Sequence, residues 1–343
     1  MTKATAQGSN GDGDALPLVA RVFAELADGE FHSGEQLAET LGVTRSAVWK
    51  AVESLRQLGA TLHAVQNKGY RLRSGSDALD SQRITNLLPP AARANVRIVE
   101  TAWTVDSTNS VLLARPNPPY GSCDVLLAEY QTAGRGRRGR AWVAPPGGSI
   151  CLSLCWSFRE VPQDLGALGL VIGVCALRAL RELGLEDTRL KWPNDIVVDR
   201  KKLGGILIEL RAESAGPASV VIGIGLNVAL GAAALEAIGE ILGSAIDLVA
   251  AGLQQPSRNA VSAALITQFV QGLLLFEREG LRPFAEEWRD ADALRGRQID
   301  VHTMEGVARG LARGIDLHGA LVLETPQGVR RFVSGDVTVR PVE

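Results

Sequence analysis

The chain has 343 residues, which is enough for two or three domains. With 46% hydrophobic and 22% charged residues, it has an ordinary composition for a globular protein. The formal net charge of −2 excludes a globally basic surface, so any attraction for nucleic acid must be local. The longest apolar runs are broken by Gly, Ser or charged residues short of a membrane span, so no membrane contact is expected.

The N-terminus and the cysteines indicate the compartment. Residues 1–14 are rich in Gly, Ser, Asn and Asp and have no apolar segment, which predicts a disordered tail and not a signal peptide. The cysteines form no CxxC pair and have no histidine at the spacing of a zinc site. We therefore expect reduced core thiols in a cytoplasmic protein, and no protein metal site. The four are Cys123, Cys151, Cys155 and Cys175.

Residues 15–75 are expected to form a small domain of three helices and a hairpin. Residues 16–27 have helical periodicity, and Ser33 with Gln36 forms a capping box that opens a second helix. Thr44 is placed to cap a third helix, with Gly42 in the turn before it. Two short helices joined by a tight turn predict a helix-turn-helix, and residues 61–73 predict a two-stranded wing.

The third helix and the wing carry a local positive charge. Residues 44–73 contain six basic residues and one acidic residue, a local charge of +5. This charge predicts contact with DNA phosphates and the major groove, whereas the alternative is a winged helix that contacts protein. The predicted DNA contacts are Thr44, Arg45, Ser46, Trp49, Lys50, Lys68, Arg71 and Arg73.

A second domain is expected over residues 79–290, after a Ser/Gly-rich hinge. The tetrapeptide D-S-T-N at 106–109 precedes an apolar run, and by itself it is typical of a helix N-cap. Strands are expected near 125–130, 149–158, 189–191, 202–209 and 220–228, with a buried helix over 165–183. From residue 294 to 343, short strands with Gly-containing turns predict a third domain, a small β-barrel.

The most unusual stretch is E-Y-Q-T-A-G-R-G-R-R-G-R-A-W, residues 129–142. Its central seven residues hold four arginines and three glycines. Glycines allow close backbone approach, and arginines bind phosphate or carboxylate through paired N–H donors. The stretch therefore predicts an anion-binding loop, which we call the Arg/Gly loop, mobile when empty and ordered by its ligand.

Two other interpretations of the Arg/Gly loop agree with part of its sequence. Its glycine spacing satisfies the dinucleotide fingerprint, but Pro145 and Pro146 prevent the helix that this fingerprint requires. A solvated basic loop, or one that contacts nucleic acid, is compatible with the composition. The motifs elsewhere in the chain argue against both.

Five motifs together resemble biotin protein ligases: the Arg/Gly loop, D-S-T-N, K-W-P-N-D, K-L-G-G-I-L-I-E and I-G-I-G-L-N. With the winged helix in front, the chain resembles the bifunctional members that also repress the biotin operon. The resemblance implies an α+β fold: a winged helix-turn-helix, a central α/β domain with a mixed sheet like that of class II aminoacyl-tRNA synthetases, and a C-terminal SH3-like barrel.

The resemblance also implies a two-step reaction. The biotin carboxylate attacks the α-phosphate of ATP to form biotinoyl-adenylate and pyrophosphate, and a lysine of the biotin carboxyl carrier protein then displaces AMP. Mg²⁺ is expected with ATP, and Asp195 is a candidate protein ligand for this ion. The further implied partners are a duplex DNA operator and a second copy of the chain, in a homodimer that ligand promotes.

The resemblance assigns site residues by motif. Lys191 and Arg137 are expected to stabilise negative charge in the reaction. For Arg138 and Arg140, contact with solvent or with a partner is as compatible with the sequence as contact with the ligand. Trp142 can have a packing role alone. The implied biotin contacts are Ser107, Thr108, Asn109, Gln131, Arg135, Gly136, Arg137, Lys191, Gly204 and Gly205. The implied ATP contacts are Arg135, Arg137, Lys191, Asn194 and Asn227.

One segment departs from the family pattern. After Asn227, where the repressor members have apolar residues and a tryptophan that fold over adenine, this chain has an alanine-rich segment with no Trp before Trp288. The adenine contacts thus stay open, and so do two alternative functions. One is a regulator that senses an effector without ligase activity, and the other is a lipoate or octanoyl ligase. The intact Lys191 and Arg/Gly loop favour an enzyme, and the loop with the winged helix favours biotin.

Overall fold

The computed structural model describes residues 16–73, 77–160, 162, 164–211, 219–232, 234–236, 238, 244–303, 306–333 and 338–341. The predicted tail, most of the hinge and part of the alanine-rich segment lie outside the described residues.

The first domain is the predicted winged helix. Ser33 and Gln36 form the expected capping box, Gly42 turns the chain with φ 64°, and the Thr44 side chain accepts from the Ala47 amide. An antiparallel hairpin follows, with Leu62 opposite Leu72. Its elements are α1 Leu18–Leu26, α2 Gly34–Leu41, α3 Arg45–Gln57, β1 Leu62–Val65 and β2 Gly69–Leu72.

The second domain is built on a seven-stranded mixed sheet. Its strands are β3 Val96–Val105, β4 Cys123–Gln131, β5 Ser149–Ser157, β6 Arg189–Lys191, β7 Asp195–Val198, β8 Lys201–Arg211 and β9 Ser219–Asn227. Their order across the sheet is β3-β4-β5-β9-β8-β7-β6, and β3 with β4 is a parallel pair while the others are antiparallel. The order brings β5 next to β9, so motifs far apart in sequence become neighbours.

Helices lie on both faces of this sheet. They are α4 Ser81–Leu87, α5 Pro90–Arg93, α6 Thr108–Leu113, α7 Leu168–Glu182, α8 Arg258–Glu279 and α9 Ala285–Ala291. Helix α6 packs through Leu112 against Leu126 and Cys155, on the face opposite to that of α7 and α8. The long α7 and α8 pack so closely that a side chain at Gly272 would overlap the Cys175 thiol. Within the described chain, α8 alone is long and apolar enough to cross a membrane, but 67% of its apolar window is buried. It is therefore the core helix that completes the domain.

The two faces of the sheet differ in side-chain size because alternate residues point to opposite faces. On one face, branched apolar residues such as Leu152, Ile222 and Ile224 are buried in the core. The other face, which we call the site face, carries Ser153, Gly223 and Gly225. Small side chains there leave room for other groups.

The third domain is a small antiparallel sheet. Its strands are β10 Gln298–Thr303, β11 Gly306–Ile315, β12 Leu321–Thr325, β13 Gly328–Phe332 and β14 Thr338–Pro341, in the order β13-β12-β11-β10-β14. The Trp192 indole N–H donates to the Gly319 carbonyl across the boundary with the second domain, at 3.1 Å. The third domain is thereby tied to the K-W-P-N-D motif.

The winged helix contacts the second domain directly. Phe23 of α1 and Trp103 of β3 have ring centroids 5.4 Å apart. Arg258 at the start of α8 is fully buried, forms a bidentate pair with Glu129 at 2.7 and 2.9 Å, and donates through Nε to the Asp77 carbonyl at 2.8 Å. A buried, paired charge of this kind ties the segment between the domains to the strand that leads into the Arg/Gly loop.

Candidate functional site

A row of residues crosses the site face of the sheet. Strand register places them directly opposite one another, so that their side chains share this face. In order from one edge of the sheet to the other they are Ala102, Ala128, Cys151, Gly225, Gly205, Asp195 and Lys191. The first five have small side chains, which makes a trough that ends at two charged residues.

Trp142, the last residue of the Arg/Gly loop, occupies part of this trough. Its indole lies over Gly225 so closely that a side chain there would overlap the ring. Lys202 reaches in from β8, with Nζ 5.8 Å from the Trp142 ring centroid and 2.7 Å from Asp195 Oδ1. Trp142 is thus part of the site surface, and Gly225 of I-G-I-G-L-N is needed to seat it.

Gly223, the other glycine of I-G-I-G-L-N, lies against Asn109 of D-S-T-N. A side chain at Gly223 would overlap the Asn109 amide, so this glycine makes the space in which Asn109 lies. Asn109 is 3% exposed and stands in the first turn of α6. Each glycine therefore accommodates one side chain from another motif.

A continuous chain of polar contacts runs along the site face. Gln131 Oε1 accepts from the Thr108 amide at 2.8 Å and lies 3.1 Å from the Thr108 hydroxyl oxygen. Ser153 Oγ lies 2.6 Å from Thr108 Oγ1 and 2.5 Å from Asn109 Oδ1. Asn109 Nδ2 donates to Glu209 Oε2 at 2.7 Å. We call these five residues the polar chain.

The Arg/Gly loop itself folds back as a short hairpin. Gly136 donates to the Arg140 carbonyl at 2.7 Å, and Trp142 donates to the Gly134 carbonyl at 2.9 Å. Arg138 has φ 58°, in the left-handed region. Arg135 Nη2 donates to Ser110 Oγ at 2.9 Å and to Glu209 Oε1 at 3.4 Å. The loop thus contacts the polar chain through Arg135.

Two lysines lie near the trough. Lys191 ends the row at the sheet edge, beyond Asp195. Lys202 lies closer to the middle of the row: its Nζ would be 3.3 Å from a methyl group added at Gly205. The expected role of Lys191 stays a prediction, and Lys202 is a second lysine that reasoning from the motifs missed.

Three residues that were predicted to contact biotin or ATP make other contacts within the protein. Gly204 points to the core face, where a side chain would lie 3.0 Å from Leu226 Cδ1, so Gly205 is the one of the pair that faces the trough. Asn194 Nδ2 donates to the Ile206 carbonyl at 2.7 Å and holds the end of β7 to β8. Ser107 is buried as the N-cap of α6, where its amide donates to Asp106 at 2.6 Å.

Asn227 carries an unsatisfied polar atom. Its Nδ2 donates to the Ile246 carbonyl at 3.1 Å, while its buried Oδ1 has no hydrogen-bond partner among the described residues. Within the same part of the chain, the buried Trp142 indole N–H also has no hydrogen-bond partner. Buried polar groups are nearly always satisfied, so each of these two atoms has the capacity for one further partner, such as water.

The thiol in the trough is not ionised. Burial raises the pKa of Cys151, in the trough, to about 12, which keeps it a neutral thiol. In the part of the chain that the structure describes, no three His, Cys, Asp or Glu side chains could hold a metal ion. Asp195 is paired with Lys202 at 2.7 Å, and its role as a metal ligand stays a prediction.

The predicted DNA-binding face is exposed at α3. Thr44, Arg45, Ser46 and Lys50 are exposed, and Trp49 is 56% exposed. Lys68 is exposed at the wing, whereas Arg71 packs over the Phe31 ring at 4.6 Å. The Arg73 guanidinium donates to the Leu230 carbonyl at 2.5 Å, so it contacts the second domain, and its DNA contact stays a prediction.

Known proteins match the same three divisions of the chain. The model of the Biotin/lipoate A/B protein ligase family matches residues 102–227, an HTH domain matches 21–71, and the Biotin protein ligase C terminal domain matches 296–340. The Bifunctional ligase/repressor BirA of Escherichia coli (strain K12) is 38% identical over 330 residues, which cover 96% of this chain and 99% of that protein. The chain belongs to the biotin protein ligase family.

Further members of this family match at similar coverage. The Bifunctional ligase/repressor BirA of Bacillus subtilis (strain 168) is 32% identical over 91% of this chain and 94% of its own length. The Biotin--[acetyl-CoA-carboxylase] ligase of Mycobacterium tuberculosis is 35% identical over 70% of this chain and 88% of its own length. A biotin protein ligase from Aquifex aeolicus, solved in complex with biotin and ATP, superimposes with a TM-score of 0.61 at 26% identity, covering 72% of this chain and all of that one.

The structure adds residues to the site for which the motifs had predicted no role. Glu209 and Lys202 stand inside the K-L-G-G-I-L-I-E stretch, where only its glycines had been given a role. A charged residue within an otherwise apolar strand was the available signal, because such a residue rarely enters a sheet without a partner. The ion pair between Arg258 and Glu129 could not be predicted from a local sequence pattern, because the two residues are 129 positions apart.

Proposed function

We propose that this biotin protein ligase activates biotin with ATP to biotinoyl-5′-AMP and transfers biotin to a lysine of a biotin carboxyl carrier protein. The observation that carries this proposal is the meeting of five separate motifs on one face of one sheet. The polar chain lies beside the middle of the row, on α6 and on β4, β5 and β8, and the lysines lie toward the β6 end of the row. Biotin likewise has a polar ureido ring at one end and a carboxylate at the other.

The polar chain is proposed to bind the ureido ring. The ring presents two N–H donors and a carbonyl acceptor, which need fixed partners of both kinds. Thr108, Asn109 and Ser153 offer hydroxyl and amide groups that their neighbours already hold in place. Residues positioned in this way select a polar ring without paying the entropy of ordering at the moment of binding.

The cations are proposed to bring two anions together. The biotin carboxylate oxygen attacks the α-phosphorus, and the bond to the pyrophosphate oxygen breaks. Fixed positive charge stabilises the additional negative charge on the reacting oxygens. Lys202, Lys191 and Arg137 are the proposed sources, and Asn227 Oδ1, an acceptor without a partner, is proposed to receive a donor of the adenine base.

The Arg/Gly loop is proposed to cover the adenylate. The mixed anhydride hydrolyses readily, so exclusion of water until the carrier lysine arrives protects it. The hydrogen bond from Arg135 in the loop to the Ser110 hydroxyl of α6 supports this proposal, because α6 also carries Asn109 of the polar chain.

The winged helix is proposed to make this ligase a biotin-dependent repressor. The exposed side chains of α3 suit the major groove, and Lys68 suits a phosphate. One winged helix has a small interface, so tight operator binding calls for a homodimer that the adenylate promotes. The cytoplasm is the proposed compartment, in keeping with four free, buried thiols.

The test is incubation of the full chain with ATP, biotin and an unmodified carrier domain, followed by mass spectrometry of the carrier. The expected result is one biotinyl group added to one lysine, with lipoate giving no product. If the carrier were modified with lipoate and not with biotin, the chain would be a lipoate ligase. No modification with either acid, while the chain still binds DNA, would leave a regulator without ligase activity.

A further inference from the structure

Glu209 lies where three motifs meet. Its two carboxylate oxygens have different partners: Oε2 accepts from Asn109 Nδ2 at 2.7 Å, and Oε1 accepts from Arg135 Nη2 at 3.4 Å. Asn109 belongs to D-S-T-N, Arg135 belongs to the Arg/Gly loop, and Glu209 ends K-L-G-G-I-L-I-E. A single side chain therefore joins the proposed biotin pocket to its proposed lid.

The Glu209 carboxylate decides which way the Asn109 amide points. Because a carboxylate can only accept, Asn109 must turn its NH₂ group to Glu209, and the second N–H of that group reaches the Leu207 carbonyl at 3.4 Å. Asn109 Oδ1 then faces Ser153 and takes its single hydroxyl proton at 2.5 Å. The 2.6 Å contact of Ser153 with Thr108 must therefore use the single Thr108 hydroxyl proton. Gln131 Oε1 then accepts from the Thr108 amide alone, and the hydroxyl protons all point from Thr108 toward Asn109.

Steric contacts hold Asn109 in place but do not choose its direction. The backbone of Gly223 confines the amide from one side, and an amide turned by 180° would have the same shape. The choice is electrostatic, and Glu209 is the acidic member of the polar chain. Direction is important for the ligand, since reversal would exchange donors and acceptors along the pocket.

We propose that Glu209 is a positioning residue for biotin: it orients Asn109 and holds Arg135 of the lid to the same pocket. This inference rests on the proposed function and names a residue that the proposed chemistry does not use. An amide cannot replace the carboxylate here, because it has one acceptor and one donor group. In Glu209→Gln, either Asn109 or Arg135 must face an NH₂ group, so one of the two contacts is lost.

The test is calorimetric titration of the full chain with biotin alone, since binding reports on the polar chain without the phosphate chemistry. We expect Glu209→Gln to weaken biotin binding roughly tenfold, the size of one unsatisfied buried hydrogen bond. The rate of pyrophosphate release at saturating biotin should stay near the wild-type value, because the cations are untouched. A loss of rate without a loss of affinity would overturn a positioning role.

A matched control exists in the same domain. Glu100 pairs with Arg115 at 2.8 Å, and its side chain is 31% exposed against 28% for Glu209, but it lies outside the polar chain. Glu100→Gln should bind biotin as the wild type does. Equal affinity of the two variants would overturn the inference while biotin transfer by the wild type still supported the proposed function.

A double-mutant cycle tests the connection to the lid. Arg135→Gln and Glu209→Gln should be less than additive in their effect on biotin affinity, because each removes the same contact. Fully additive effects would overturn the joining of lid and pocket. A wild-type chain that binds no biotin would overturn both this inference and the proposed function.

Discussion

Arg73, at the end of the wing, donates a hydrogen bond of 2.5 Å to the main-chain carbonyl of Leu230 in the ligase domain. Leu230 in turn donates its amide to the buried Asp247 carboxylate at 2.7 Å. Its neighbours Val228 and Ala229 donate to the Gly148 carbonyl at 2.9 and 3.0 Å, between the Arg/Gly loop and β5. The wing therefore contacts the segment that follows Asn227, which connects the proposed DNA-binding domain with a proposed ATP contact.

Arg73 and Lys68 should differ in their effect on DNA binding. Lys68→Ala removes an exposed cation, so the log–log dependence of affinity on salt should fall by close to 0.9, as for one phosphate contact. Arg73→Ala should leave that slope unchanged but weaken the response to biotin and ATP. The measurement is fluorescence anisotropy of a duplex from the biotin-gene promoter, over a range of salt. A lower slope in Arg73→Ala would return Arg73 to the DNA-binding face.

Lys202 and Lys191 can be ranked by pyrophosphate release with biotin and ATP. Lys202→Ala should lower the rate roughly 10²-fold or more, as removal of one preorganised charge-stabilising donor does. Lys191→Ala should have a smaller effect, because Lys191 lies at the sheet edge while Lys202 lies beside Gly205 and Trp142. The reverse ranking would make Lys191 the principal cation, as its motif suggests.

Arg137→Gly should open the lid. The variant should still form the adenylate but release it early, so that exposed lysines of unrelated proteins become biotinylated. The measurement is streptavidin blotting of a bystander protein mixed with the ligase, biotin and ATP. Arg159→Gly, a change outside the Arg/Gly loop, is the control. Bystander labelling no greater than that of the control would remove Arg137 from the lid.

Gly225→Ala should disturb Trp142. The added methyl group would overlap the indole, and overpacking of this kind costs about 1–3 kcal/mol and forces the ring to move. We expect weaker ligand binding and a lower melting temperature than in Gly166→Ala, where a methyl group meets no atom within 4 Å. The double variant Trp142→Ala/Gly225→Ala should show little further loss beyond Trp142→Ala. A full additional loss would mean that Gly225 has a role apart from Trp142.

Asp292 should make stability depend on pH. Burial raises its pKa from 3.8 to about 6, and its Oδ2 is buried without a hydrogen-bond partner. Because the raised pKa belongs to the folded state, the stabilising contribution is complete below pH 3.8 and is lost as pH rises through 6. At about 1.4 kcal/mol for each pH unit between the two values, the loss is at most about 3 kcal/mol.

The comparison variant for this effect is Asp292→Asn, which cannot titrate. Its free energy of unfolding relative to the wild type should rise between about pH 4 and pH 6 and then level off, since the other carboxyl groups titrate equally in both proteins. Urea unfolding followed by tryptophan fluorescence measures the difference. A difference that stayed constant with pH would show that Asp292 does not titrate in this window.

Local chemistry in the sequence determined the elements of the fold. Ser33 and Gln36 predicted the start of α2, Gly42 its end, and Thr44 the start of α3, because caps and left-handed turns depend on a few adjacent residues. The family motifs likewise predicted which residue types carry the chemistry, and the matches to known ligases confirmed the family. The individual site assignments stay predictions.

Only the tertiary structure decided which residues meet. The order β5-β9-β8 sets Gly225 under Trp142 and Gly223 against Asn109, and the same order brings Glu209 between Asn109 and Arg135. It also turned Gly204 away from the trough and directed Arg73 to Leu230. These outcomes depend on strand register and domain packing between segments up to 157 residues apart. No local pattern encodes such pairings, because a shift of one residue in register moves every side chain to the opposite face.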